Sequence, residues 1–156
     1  MNISCTIRFG TLNDVDQVSD LFKEYYHWDN DIYREWAMFC LKQTGSSLFV
    51  AEQDGHVVGF ARLDIAEAKV AQLRDLYVVP SHCKNGIGAA LIRAGEEWAR
   101  GRHLVTLTLN VDGNNCGAIN LYTKNGFAIA FGKAAGNRPI PPYHFRMTKT
   151  LLGPSI

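Results

Sequence analysis

No run of eighteen or more apolar residues occurs in this chain, so nothing in it reads as a membrane-spanning helix. The opening M-N-I-S-C-T-I-R-F lacks the basic stretch followed by a long apolar one that marks a secretory signal. Cytoplasm is therefore the default expectation. Cysteine is sparse: Cys5, Cys40, Cys83 and Cys116 are scattered, with no C-x-x-C pair and no histidine at zinc-ligand spacing. They read as free thiols, and no metal site is expected. There is no run of Lys or Arg, and the formal net charge is +1, so neither nucleic acid nor an anionic membrane surface is indicated as a partner. Internal repeats, low-complexity tracts and linker-like stretches are lacking too.

What is present suits one compact domain over residues 1–156. With 47% hydrophobic and 20% charged residues, the chain can bury a core and is not of the disordered class. Its ligand should be small. Ile3 to Phe9 alternates as a strand, and Thr11 or Asn13 can cap a helix whose inner face is Val15, Val18, Phe22 and Tyr25. A second helix carries Ile32, Trp36, Phe39 and Cys40 and ends near Gly45. Leu48 to Glu52 and Val57 to Leu63 flank Asp54-Gly55, a two-residue hairpin signal.

The densest information lies between Leu73 and Phe127. The stretch L-R-D-L-Y-V-V-P-S-H-C-K-N-G-I-G-A-A-L-I reads as a strand from Leu73 to Val79, stopped by Pro80 and Ser81. Gly86 and Gly88 then open a helix with Ile87, Leu91, Ala94 and Trp98 at helical spacing. Such glycines let backbone approach a ligand, and a helix's first turn offers unpaired N–H groups and a favourable dipole, so an anion such as a phosphate suits it. Tight helix–strand packing would demand the same glycines. A P-loop is excluded because no G-K-[ST] follows, and a dinucleotide fingerprint because Leu91 stands where its third glycine would be. With the strand Leu104 to Leu109, this segment makes one βαβ unit with parallel strands. A short helix carrying Tyr122 follows and closes at Asn125-Gly126. Beyond it come a strand from Phe127, a Gly/Pro-rich loop from Gly132 to Pro142, and a last strand Tyr143 to Leu151, with Tyr143, Phe145 and Met147 on one face.

Two motifs in this order resemble the GNAT family of N-acetyltransferases. The family's short helix is patterned V-x-x-x-N-x-x-A-x-x-L-Y-x-x-x-G-F, and Val111, Asn115, Ala118, Leu121, Tyr122, Gly126 and Phe127 occupy every position. Asp75, Leu76, Val78 and Pro80 give the strand the family's D-L-x-V-x-P shape, and Gly86 and Gly88 fit its phosphate loop. The resemblance implies an α/β (α+β mixed) domain. Its mostly antiparallel sheet would have about seven strands, with a parallel βαβ unit at strands four and five and about four flanking helices.

The resemblance also implies an acyltransferase, an enzyme using acetyl-coenzyme A as acyl donor and an amine as acceptor. Main chain from Leu76, Tyr77 and Val78 would follow the pantetheine arm. The run Cys83, Lys84, Asn85, Gly86, Ile87, Gly88 and Ala89 would surround the pyrophosphate, and Asn115 would reach the carrier as well as capping its helix. Tyr122 would stand near the acetyl sulfur as general acid, against the plainer alternative of a ring packed in the core. Two positions depart from the family: Cys83 replaces its usual Arg or Gln, leaving Lys84 to supply charge, and Arg74 stands where some members carry a glutamate base. Asp75, His82 and a water relay are the candidates for base. Strand alternation sets Asp75 on the face opposite Arg74, and imidazole ordinarily titrates near neutrality.

For the acceptor, E-Y-Y-H-W-D-N-D-I-Y-R-E-W lies where the family roofs its pocket. Tyr26, Trp28, Asp29 and Tyr33 offer ring faces and a carboxylate to a cationic amine, although core packing would account for the rings and solvation for the acid. The expected acceptor is a primary amine of a small molecule; the alternatives are a protein or peptide amine, or a non-catalytic acetyl-coenzyme A binding module. A sheet edge near the last strands could support a homodimer.

Overall fold

A computed structural model describes residues 5–42, 46–131 and 144–151. The strands are β1 (Thr6–Phe9), β2 (Ser46–Gln53), β3 (His56–Glu67), β4 (Val70–Val78), β5 (Thr106–Asp112), β6 (Ala128–Phe131) and β7 (His144–Thr150). The helices are α1 (Val15–Tyr26), α2 (Tyr33–Lys42), α3 (Ile87–Gly101) and α4 (Cys116–Lys124). They form one seven-stranded sheet in the order β1-β2-β3-β4-β5-β7-β6. β4 and β5 run parallel, with α3 between them in sequence, and the other neighbours are antiparallel. This is the mixed architecture that the resemblance implied.

Each face of the sheet is covered by the helices whose apolar stripe fits it. On one side Val18 and Phe22 of α1 and Ala37 of α2 pack against Val50 and Phe60. On the other, Leu91, Ile92 and Trp98 of α3 lie over Leu63, Leu73 and Leu107. A Cβ at Gly95 would stand 2.8 Å from Leu63 Cδ2, so glycine permits α3 to approach β3 this closely.

Several expected boundaries shift. β4 begins at Val70 and β5 extends to Asp112, because ladder pairing continues past the β-branched residues that mark a strand in sequence. Phe127 is buried just before β6 rather than opening it. The inner face of α2 is Tyr33, Ala37 and Cys40, whereas Ile32 and Phe39 are exposed. Thr11 caps a single 3-10 turn, its N–H bonded to Asp14 Oδ2 at 2.7 Å, and Asp14 is the residue at the start of α1. The expected positions Gly132–Pro142 and Tyr143 lie outside the described residues.

Candidate active site

The pairing between the parallel strands stops early. β4 and β5 are in register from Val70↔Thr106 to Leu73↔Leu109. Beyond that point β4 continues beside β3 as far as Gly59↔Val78, and β5 beside β7 as far as Asp112↔His144. The facing edges of residues 74–78 and 110–112 therefore diverge, and their backbone N–H and C=O groups are not joined to each other.

A bulge in β4 sits at the start of this opening. Leu63 faces Leu73 and Arg62 faces Asp75, so Arg74 is the extra residue. The bulge reverses the side-chain parity. Leu73 joins the α3 side of the core, whereas Asp75 meets Tyr26 of α1 and Arg62 on the opposite side. The expected alternation of Arg74 and Asp75 does not hold: Arg74 bonds Asp64, which Arg62 also contacts, so both residues serve one face.

Asp75 is 8% exposed. Its Oδ2 accepts from the Tyr26 hydroxyl at 2.6 Å and from Arg62 Nε at 2.7 Å. Both bonds fall on one oxygen, which leaves Oδ1 for Tyr25 or for a bound cation. Burial, and next the Asp75 negative charge, push the Tyr25 and Tyr26 phenols well above their ordinary range.

Tyr122 approaches the same opening from the α3 side. Asn115 starts α4 by accepting from the Ala118 N–H at 3.1 Å, its expected capping role. One and two turns on, the helix presents Ala118 and Tyr122 to a cavity of about 230 Å³ that Asp75, Leu76, Tyr25 and Asp112 also line. Tyr122 is 9% exposed, edge-on to Phe127 with ring centroids 5.8 Å apart. Burial, and then the Asp75 charge, push its phenol up to about 12. The packed ring and the cavity-lining position coexist.

The turn expected to cradle an anion follows β4. Gly86 takes the left-handed conformation, φ +80°, and α3 starts at the next residue, so the amides of Ile87, Gly88 and Ala89 have no acceptor within the helix. Gly88 answers to a different demand, because a Cβ there would stand 3.1 Å from Leu121 Cδ2 on α4. Its smallness sets the approach of two helices. Cys83 is exposed and its Sγ lies 3.4 Å from the Val78 carbonyl oxygen. Lys84 and Asn85 are exposed in the same turn. Free amides, a dipole end and an open strand edge suit a phosphorylated carrier with an extended, amide-bearing arm. Among the described residues, no group of three or more His, Cys, Asp or Glu side chains is placed to hold a metal ion.

Comparison with known proteins meets this geometry. The model of the acetyltransferase (GNAT) family matches residues 15–127, the larger part of the chain. The chain belongs to the GNAT family. The matched model is that of an acetyltransferase domain. An uncharacterized N-acetyltransferase of Methanocaldococcus jannaschii is 36% identical over 137 residues, 78% of this chain and 60% of that protein. An aminoglycoside N(6')-acetyltransferase type 1 of Klebsiella aerogenes is 34% identical over 87 residues, 51% of this chain and 57% of that protein. The chain thus spans about 60% of the length of these curated relatives. Among solved structures, an aminoglycoside 6'-N-acetyltransferase complexed with coenzyme A superposes with a TM-score of 0.84 at 20% identity, covering 97% of this chain and 99% of that one. That likeness is one of fold.

On the acceptor side, the GNAT chain sorts the four expected residues unequally. Trp28 stacks on Tyr26 at 4.4 Å and on Tyr33 at 5.3 Å, with interplanar angles of 13° and 7°, and stays exposed. It does not line the cavity. Tyr33 is buried, and its hydroxyl accepts from the Trp28 N–H and donates to the Trp28 carbonyl, so it pins the connection between α1 and α2. Asp29 is exposed and does not line the cavity. Tyr26 reaches the site through its hydroxyl on Asp75. His82 stays in the turn after β4, its Nδ1 2.9 Å from Ser81 Oγ, and is not part of the lining. The residues that sequence reasoning passed over are Asn110 and Asp112. Period-two reading of β5 could have found both, because they alternate with the buried Leu109 and Val111.

Proposed function

We propose that this domain transfers the acetyl group of acetyl-coenzyme A to a primary amine of a small, cationic molecule by direct attack, with Asp75 as proton acceptor and Tyr122 as donor to the departing sulfur. The observation that carries the reading is that Asp75 and Tyr122 come from opposite faces of the sheet and line one cavity at the opening between β4 and β5.

The chemistry follows from the groups present. An alkylammonium with a pKa near ~10.4 is neutral in only about one molecule in 10³ at pH 7. Asp75 Oδ1 takes one proton from the bound ammonium, and the neutral nitrogen forms the new N–C bond at the thioester carbonyl as the C–S bond breaks. Unpaired N–H groups on the free edge of β4, in Leu76 to Val78, suit the oxygen on which negative charge develops. The nitrogen sheds a second proton after attack, and the thiolate requires one, so the count balances. The Tyr122 phenol, held at about 12, is a weaker acid than an ordinary thiol near ~8.5. It therefore keeps its proton and stabilises the departing sulfur through a hydrogen bond, while the proton that the thiolate takes up is the second one shed by nitrogen.

A small acceptor is supported by a cavity of about 230 Å³ whose lining includes the carboxylates of Asp75 and Asp112. The partial match to an aminoglycoside N(6')-acetyltransferase points to the same class. The experiment is calorimetric titration with acetyl-coenzyme A, followed by a free-thiol assay against aminoglycosides, polyamines, amino acids and peptides. Binding with thiol release for a small amine supports the reading. Release only for peptides transfers it to protein amines, and binding without any release points to a non-catalytic module.

A further inference from the structure

We infer that Arg62 is the positioning residue of the reaction: it fixes the Asp75 carboxylate so that one oxygen stays available to the acceptor nitrogen. The inference rests on the reading of Asp75 as the proton acceptor. Arg62 stands on β3 directly opposite Asp75, at the first pairing after the β4 bulge. A bulge alone would leave the following side chain free to swing. Here the guanidinium is gripped on three sides. Its Nε donates to Asp75 Oδ2 at 2.7 Å, its Nη1 to Asp64 Oδ2 at 3.3 Å, and its Cζ lies 5.4 Å from the centre of the Trp36 ring. The Arg62 side chain is only 14% exposed.

The carboxylate in turn has little freedom. Tyr26 donates to the same Oδ2 at 2.6 Å, and Trp36 Nε1 donates to the Tyr26 oxygen at 3.4 Å. Trp36 thus steadies both of the groups that hold Asp75. A planar guanidinium can serve two carboxylates and lie over an indole at once, which an ammonium cannot. Both donors converge on Oδ2 of a cavity-lining carboxylate, which fixes the rotation of the group and leaves Oδ1 to the remaining neighbours, Tyr25 among them, and to the cavity.

The test is a double-mutant cycle on the full chain. The acceptor is whichever of kanamycin, spermidine or an N-terminal alanine peptide releases thiol fastest, with acetyl-coenzyme A affinity measured in parallel. Arg62→Met should lower kcat on the order of 10²-fold, a large part of what a general base contributes, with little change in KM or carrier affinity. Arg62→Lys should recover part of that loss. Introduced into Asp75→Asn, Arg62→Met should cost nothing further, because the group it positions is already gone. A loss that multiplies fully with Asp75→Asn, a rise in KM alone, or turnover within about threefold of the parent would overturn the inference. Where Arg62→Met does not fold, Arg62→Lys and Tyr26→Phe carry the same cycle with nearly conserved volume. Full turnover in Asp75→Asn would instead sink the proton-acceptor reading itself, an outcome visible before Arg62 is touched.

Discussion

Leu73 and Leu109 are the last pair at which β4 and β5 meet, and both cavity-lining carboxylates lie within a few residues of them. Asp75 follows on one strand after a bulge, Asp112 on the other, and the turn from β5 into α4 brings Tyr122 over the gap. Two strands that remained paired to their ends would leave neither a cavity nor a free edge.

Tyr122→Phe is expected to leave acetyl-coenzyme A affinity unchanged by calorimetry and to lower kcat on the order of 10²-fold. The ring and its contact with Phe127 are retained, so the melting temperature should move little. Equal turnover in the two proteins would remove the hydroxyl from the reaction.

The alkaline side of the stability profile has a stated sign. Tyr122 and Tyr77 are both raised to about 12, chiefly by burial, while in the unfolded chain a tyrosine titrates near ~10. Their contribution to stability is complete below about pH 10 and is lost as pH rises toward about 12, because the unfolded state releases its protons first. Thermal melts between pH 8 and 11, as a chosen range of roughly three units around the tyrosine pKa, should fall more gently for Tyr122→Phe than for the parent. Identical slopes would contradict the assignment.

Gly86→Ala should cost about 1 to 2 kcal/mol, since φ is +80° and the surrounding space is open, so the penalty is one of backbone conformation alone. Acetyl-coenzyme A affinity should fall several-fold as the cradle distorts. Wild-type affinity, measured by calorimetry, would show that the turn does not hold the carrier.

Lys149→Met tests a link far from the chemistry. Lys149 Nζ bonds Glu96 Oε1 at 2.7 Å and the Asn125 carbonyl at 2.8 Å, and Glu96 is 5% exposed on α3. Removing the ammonium leaves a buried carboxylate that keeps the longer Arg100 contact at 3.7 Å. The expected loss is about 2 kcal/mol in urea unfolding, less than for a wholly buried pair, with kcat unchanged.

The sequence was most legible where local rules act alone. Asn115 as a helix cap, Gly126 with φ +92° after the last turn of α4, and the Asp54-Gly55 turn between β2 and β3 follow from residues within a few positions of each other. The placing of Tyr122 came from the same segment. The parity of Asp75 was not legible, because the bulge at Arg74 depends on how β4 registers against β3, a contact between segments distant in sequence. Nor was the fate of Tyr33, whose tie to Trp28 turns α2 so that Tyr33, Ala37 and Cys40 face inward in place of Ile32 and Phe39. The aromatic cluster was recognisable as a set, but which ring faces remain open is decided only by mutual stacking.

The strand order has a consequence for the chain as it is made. β7 lies between β5 and β6, with Met147 facing Leu109 on one side and Ile129 on the other. While synthesis has reached only β6, β5 has an unfilled edge and β6 has nothing to pair with. On the ribosome α4 is therefore complete before the sheet beneath it, and closure of this part of the sheet awaits β7. A nascent chain halted before residue 144 would carry every residue assigned to the reaction and still lack the strand that locks β5 in place.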